Sequence, residues 1–112
     1  MSIDVALDDL ARTVATYGSG YLLTTTDGAV KVIAVSPVAT EGSLRVHQPG
    51  PGTLANVGAN ATVTVIFPPT ESPGLTLLVD GTAEVDGDDV HIVATHAILH
   101  RPAPAPPSTE AN

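Results

Sequence analysis

Leu44 to Phe67 reads LRVHQPGPGTLANVGANATVTVIF, and it divides into strand, turn, short helix and strand. Leu44 to Gln48 is a short extended run. Pro49-Gly50-Pro51-Gly52 must break it, because proline fixes φ and removes a donor while glycine frees the backbone. Thr53 suits a helix N-cap, since its hydroxyl can accept from an unpaired backbone N–H. Leu54 and Val57 share one helical face, and Gly58 suits the position just past the helix end. Ala61, Val63, Val65 and Phe67 then alternate with Thr62, Thr64 and Ile66, which is the period of a strand. The pattern places a helix N-terminus beside a strand end, and such a terminus attracts anions, phosphate among them. The plain alternative is a solvated turn between strands.

Upstream, residues 4–17 carry Leu7, Leu10, Ala11 and Val14 at the spacing of one apolar helical face. Asp4 caps this predicted helix, Asp8 and Arg12 form an i, i+4 pair, and Gly18 and Gly20 end it. Tyr21 to Thr26 and Ala29 to Ala39 are strands joined by Asp27-Gly28, a hairpin signal that needs φ > 0 at both positions. The second of these strands is apolar on both faces in its middle, so it is either central to a sheet or part of an interface. Pro37 weakens only its end. Glu41-Gly42 turns the chain into Leu44. Lys31 and Arg45 come near each other if strands 29–39 and 43–48 pair across this turn.

Downstream, residues 68–74 form a surface loop. Leu75 to Val85 is a long strand with Gly81 at a bulge or bend. Asp86-Gly87-Asp88 turns it into a last strand, Val90 to Leu99. Residues 1–101 make one domain, and the proline-rich tail 102–112 is extended or disordered. Six strands joined mainly by tight turns, without a βαβ rhythm, predict a mainly β fold: a small six-stranded antiparallel barrel with one N-terminal helix and a short helix after the third strand.

Composition limits the function classes. A chain of 112 residues supports one modest core. Twelve acidic against four basic residues give a net charge of −8, which disfavours nucleic acid and anionic membrane surfaces as partners. There is no cysteine, hence no disulfide or thiolate chemistry. No signal-peptide pattern and no apolar run of membrane-spanning length occurs, so the expected location is cytoplasmic. P-loop, GxGxxG and GxSxG motifs are absent.

Four histidines, His47, His91, His96 and His100, raise the question of a metal. On a strand His96 and His100 lie about 13 Å apart, too far to share an ion. Asp80, Glu84 and Asp86 alternate along one face, where Thr82 and Gly81 suggest a wet outer surface rather than acid–base machinery. His47 ends the strand that enters the Pro-Gly turn, with Arg45 on the same face, and both can donate to a phosphate or carboxylate.

The leading helix, YLLTTTDGAVKVIAVSPVA, the third strand ending at His47, and GTLANVGANATVTVIF together resemble the pyridoxamine 5′-phosphate oxidase-like FMN-binding split-barrel family. The likeness covers about residues 3–101. It implies a homodimer with FMN, or in relatives a deazaflavin, in a groove at the subunit interface. By position, the phosphate end would involve His47, Gln48, Gly52, Thr53 and Asn56, and the ring would lie near Val35, Ser36 and Pro37. FMN-binding members carry Arg or Lys just before the helix, whereas this chain has Gly52 and Thr53. Two such lost contacts, at about 1.5–3 kcal/mol each, weaken binding by about two to four powers of ten. The resemblance therefore implies a flavin-type oxidoreductase, with pyridoxamine phosphate oxidation itself disfavoured. Two other readings stay open: a cofactor-free dimer that binds another small molecule or a protein, and a haem-binding relative using His47, His96 or His100.

Overall fold

A computed structural model describes residues 2–107. It contains eight antiparallel strands and two short helices. In chain order these are β1 (Ser2–Asp4), a 3₁₀ turn (Leu7–Asp9), α1 (Leu10–Ala15), β2 (Gly20–Thr26), β3 (Ala29–Val35), β4 (Val38–Thr40) and β5 (Ser43–Val46), then α2 (Pro51–Ala59), β6 (Thr62–Phe67), β7 (Thr76–Asp86) and β8 (Asp89–His100). The sheet order is β3-β2-β6-β7-β8-β5-β4, with β1 added to β8.

The predicted mainly β antiparallel architecture holds, with two strands more than the sequence suggested. The first is β1, which pairs Ser2 with His100 and Asp4 with Ile98. The second arises because the predicted strand 29–39 breaks at Ser36-Pro37. Pro37 has no N–H for a ladder, so β3 ends at Val35 on one edge of the sheet and β4 begins at Val38 on the other. The barrel is split at this step.

The N-terminal helix is shorter than predicted. Asp4 belongs to a strand and caps nothing, and Leu7 lies in the 3₁₀ turn. The apolar spacing still serves burial, for Leu10 and Val14 enter the core. Arg12 pairs with Asp9, one turn back, rather than with Asp8. Tyr17 follows: its ring tilts against Phe67 at a centroid distance of 6.3 Å, and its hydroxyl donates to the Leu75 carbonyl at 2.8 Å. Partial burial raises the pKa of that phenol.

Local turn chemistry behaves as the sequence implies. Asp27 and Gly28 have φ of 51° and 77°, the pair of left-handed residues that a two-residue hairpin requires. The ladder between β7 and β8 slips at Asp80/Gly81, the bulge that Gly81 marked. The core is aliphatic, built from Leu22, Leu44, Val65, Leu77, Val79, Val90 and Ile92 around Phe67.

The doubly apolar β3 is an edge strand rather than a central one. Its outer face leaves Val30 60% and Val32 53% exposed, beside Tyr21 at 44%. Residues 102–107 are exposed and carry neither helix nor strand, while 108–112 lie outside the described residues. Among the described residues no helix is long and apolar enough to cross a membrane.

Gly20 packs closely against the neighbouring strand β6. A Cβ there would lie 2.3 Å from the Ile66 carbonyl oxygen, whereas one at Gly42 would meet nothing within 4 Å. Gly20→Ala is expected to lower stability by about 1–3 kcal/mol, the usual range for overpacking, and Gly42→Ala to change it far less. Urea midpoints for the two variants check this; equal midpoints would remove the steric argument.

Candidate binding cleft at the split

The break at Ser36-Pro37 leaves the C-terminal ends of β3 and β5 flanking an opening in the barrel wall. A cleft of about 360 Å³ lies there, lined by Ile33 to Ser36 on one side and Val46 to Pro49 on the other. Four of the residues predicted from sequence, Val35, Ser36, His47 and Gln48, meet in this lining. Pro37 is buried at the break itself. A shallower hollow of about 310 Å³ continues from Gln48 to Gly50, Pro51, Leu54 and Asp88. A larger cleft of about 790 Å³ lies between loop residues 69–75 and Arg101 to Pro104, and none of the predicted site residues lines it.

The start of α2 differs from the sequence reading. Gly50, at φ 108°, is the N-cap, and Pro51 occupies the first turn, where its missing N–H costs nothing. Thr53 is therefore inside the helix. It is buried, and its hydroxyl has no hydrogen-bond partner among the described residues. The helix also runs past Gly58 to Ala59. The first-turn amides of Gly52 and Thr53 have no acceptor within a helix, by its geometry.

Asn56 is a tether rather than a free donor: its Nδ2 donates to Thr24 Oγ1 on β2 at 3.1 Å. Asn60 repeats the tie one turn later, donating to Thr25 Oγ1 at 2.8 Å. These two bonds tie α2 to β2.

Lys31 is the residue that sequence reasoning missed here. It does not approach Arg45 through strand pairing. The turn at Glu41-Gly42 pairs Val38 with Arg45, while Lys31 lies on β3 opposite Thr24. Directly opposed residues share a face, so Lys31 projects toward α2. A Cβ on Gly52 would come within 2.4 Å of Lys31 Nζ. A cation therefore stands over the first turn of the helix although none stands just before Leu54 in the chain. No residue in the Leu44–Phe67 stretch signals this.

Arg45 is already engaged. Its guanidinium pairs with Asp86 at 2.7 Å and Asp89 at 3.3 Å, which raises its pKa further. The Arg45 donors expected to meet a ligand phosphate are thus in part taken up by these two carboxylates. Asp89 also accepts the Gln48 backbone N–H at 3.0 Å and faces His47 Nδ1 at 3.2 Å. The Gln48 amide, with Arg45 and His47 adding to it, holds the Asp89 carboxyl below its ordinary pKa.

The other histidines lie along β8, away from the cleft lining. His96 sits 3.5 Å from Asp4 and 3.9 Å from Asp80, and His100 Nδ1 contacts Ser2 Oγ at 3.0 Å. Among the described residues no group of three or more His, Cys, Asp or Glu side chains is set to hold a metal ion. Asp80 and Glu84 are exposed, and Asp80 accepts from Thr64 at 2.7 Å.

With strand order, split and cleft in hand, the fold is that of the pyridoxamine 5′-phosphate oxidase-like split barrels. It is similar to an FAD-binding protein from Mesorhizobium loti, at a TM-score of 0.71 and 15% identity over 88% of this chain and 95% of that one. It is similar to the FAD-binding protein of Mycobacterium smegmatis, at 0.66 and 16% over 90% and 100%, and to an F420 reductase, at 0.59 and 18% over 85% and 93%. No family model matches the chain. In sequence it is 34% identical, over 96% of its length, to the uncharacterised protein Mb0449c of Mycobacterium bovis and to MT0457 of Mycobacterium tuberculosis, covering 87% of each. The chain belongs to the family of these two mycobacterial proteins.

Depression of the Asp89 pKa has a stability consequence with a definite sign. A carboxyl whose folded pKa lies below its unfolded value of about 3.9 stabilises the fold above that value. The contribution is lost as pH falls through the folded pKa. The acid limb of stability below about pH 4 is therefore expected to be shallower in Asp89→Asn than in the parent. Urea midpoints measured down the acid range test this, and parallel limbs would contradict it.

Proposed function

We propose that the chain binds a phosphorylated flavin or deazaflavin, FMN being the first candidate, at the split of the barrel, within a homodimer, and acts as a flavin-type oxidoreductase. The observation that carries this reading is Lys31 Nζ standing over Gly52, at the first turn of α2. A helix N-terminus and a lysine together favour an anion. Among the described residues Lys31 enters no ion pair, whereas Arg12 and Arg45 do.

The residues fit such a group. Lys31 and the amides of Gly52 and Thr53 would take the phosphate. The absence of a Cβ at Gly52 leaves room for the lysine above it. Val35, Ser36, His47 and Gln48 would border the ring, with Pro37 fixing the wall behind them. Arg45 and Asn56 would act at one remove, holding the His47–Gln48 turn and seating α2. A bound flavin supplies hydride chemistry, and the protein supplies placement and hydrogen bonds. The solved structures of similar fold include an FAD-binding protein and an F420 reductase, which supports a flavin-type ligand as a class.

The dimer reading rests on β3. An edge strand that exposes Val30 and Val32 beside Tyr21 offers an apolar strip next to the cleft, and a second copy placed there would bury the strip and deepen the groove.

The direct test compares FMN with riboflavin, which lacks the phosphate, by quenching of flavin fluorescence. The parent is expected to prefer FMN, and Lys31→Ala to lose about tenfold or more in FMN affinity with little change for riboflavin, in line with about 1.5–3 kcal/mol for a hydrogen bond to a charged group. Failure of the parent to bind FMN or F420 would sink the flavin reading and leave the cofactor-free alternative. For assembly, sedimentation is expected to show a dimer for the parent and a monomer for Val32→Glu; a monomeric parent would end the homodimer proposal.

A further inference from the structure

Cross-strand partners in an antiparallel sheet lie on one face, so the registers show what the outside of the barrel presents. Ala34 stands opposite Tyr21, Tyr21 opposite Ile66, Ile66 opposite Leu78, and Leu78 opposite Ile98. One unbroken row without a charged side chain therefore crosses β3, β2, β6, β7 and β8. The adjoining register, Leu22, Val65, Val79 and Ala97, is buried in the core, so the first row faces outward. Ala34 and Tyr21 are exposed, and Ile66, Leu78 and Ile98 are half-buried. Val32 and Leu23, opposite each other on the same face, widen the row. A solvated antiparallel face ordinarily carries polar side chains. Here those side chains lie at the margin: Thr64, Asp80 and His96 in the next outward register, and Asp4 opposite Ile98.

Charge and span both point to a second copy as the occupant. Two copies of net charge −8 repel each other at long range, and an isologous contact sets the same patch against itself. A surface for self-association must therefore be free of charge, and this row is. At about 4.8 Å per strand step the row is about 19 Å across, a span suited to a contact that buries about 800 Å² per partner. We propose that a second copy of this chain packs its own row against this one, sheet face on sheet face, so that all five strands hold the homodimer rather than the β3 strip alone. Tyr21 is the expected anchor, being of the residue type that dominates interface energetics. Ala34 belongs both to the row and to the lining of the cleft, so the second copy also walls the cleft beside β3. The inference rests on the homodimer reading above and names its contact surface.

The chain has no cysteine, so single introduced cysteines report on the face directly. Ala34→Cys, Leu78→Cys and Val93→Cys are alkylated well above and well below the dissociation midpoint found by sedimentation. At positions 34 and 78 the concentrated sample is expected to react about tenfold or more slowly than the dilute one. Position 93, exposed but outside the row, is expected to react alike in both. Leu78→Glu, three strand steps from β3, is expected to sediment as a monomer with the parent's circular dichroism. Should that variant unfold, the cysteine series decides by itself. Equal reactivity of Leu78→Cys at both concentrations overturns the proposal, as does a dimeric Leu78→Glu. A dimer broken by Val32→Glu but not by Leu78→Glu confines the contact to β3 and leaves the homodimer reading standing. A parent monomeric at every concentration ends both. For the cleft wall, folded Leu78→Glu is expected to bind FMN about tenfold more weakly, although Leu78 lines no part of the cleft. Undiminished affinity in that monomer would overturn the wall. If the parent binds no flavin, the flavin reading fails, and alkylation of Ala34→Cys still decides whether the second copy reaches the cleft.

Discussion

One proline sets the plan of this molecule. Pro37 cannot donate to a ladder, so the strand that leaves the Asp27-Gly28 hairpin cannot continue as one edge. The chain abandons β2 at Val35 and rejoins the sheet beside β5 at Val38, at the far end of the strand order. The barrel is open at that step, and the cleft is the opening. Every residue proposed to meet a ligand ring lies within a few positions of the break or on the β5 end that faces it.

How far the sequence reveals this depends on the range of the interaction concerned. Short-range chemistry is readable. The Asp27-Gly28 pair, the Pro-Gly turn before α2 and the bulge at Gly81 each follow from φ requirements within two or three residues. Contacts distant along the chain are hidden. Ser2 to Asp4 become a strand because residues 98 to 100 stand ready to pair with them, and nothing in their own pattern says so. The site shows the same division. The resemblance points to Val35, Ser36, His47 and Gln48 by position, but the partner of Gly52 is Lys31, twenty-one residues away, and the occupation of Arg45 depends on two aspartates in the β7–β8 hairpin. The expected N-cap at Thr53 fails for a local reason. Pro51 suits the first helical turn so well that the helix starts earlier, and the threonine falls inside it.

The acidic balance of the chain also takes on a specific form. Of four cationic side chains, Arg12 and Arg45 are matched to aspartates, and Arg101 borders the loop cleft. Lys31 remains at the helix start. A chain with net charge −8 repels an anion at long range, so the proposed capture would have to be local, within about a Debye length of 8–10 Å of the lysine and the helix terminus.

Lys31 has a second setting apart from any ligand. It is the only charged residue in Ala29–Val35, whose sequence AVKVIAV is otherwise apolar, and this strand lies on an open edge of the sheet. Such an edge, with its unpaired amides and carbonyls, is a template for adding further strands, and a lysine in its middle is a common natural obstacle to that growth. The side chain at the helix start therefore also guards the strand against amyloid-like stacking. Exchange for an apolar residue would expose an uninterrupted seven-residue hydrophobic edge, so the position answers to colloidal stability as well as to the binding proposed for it.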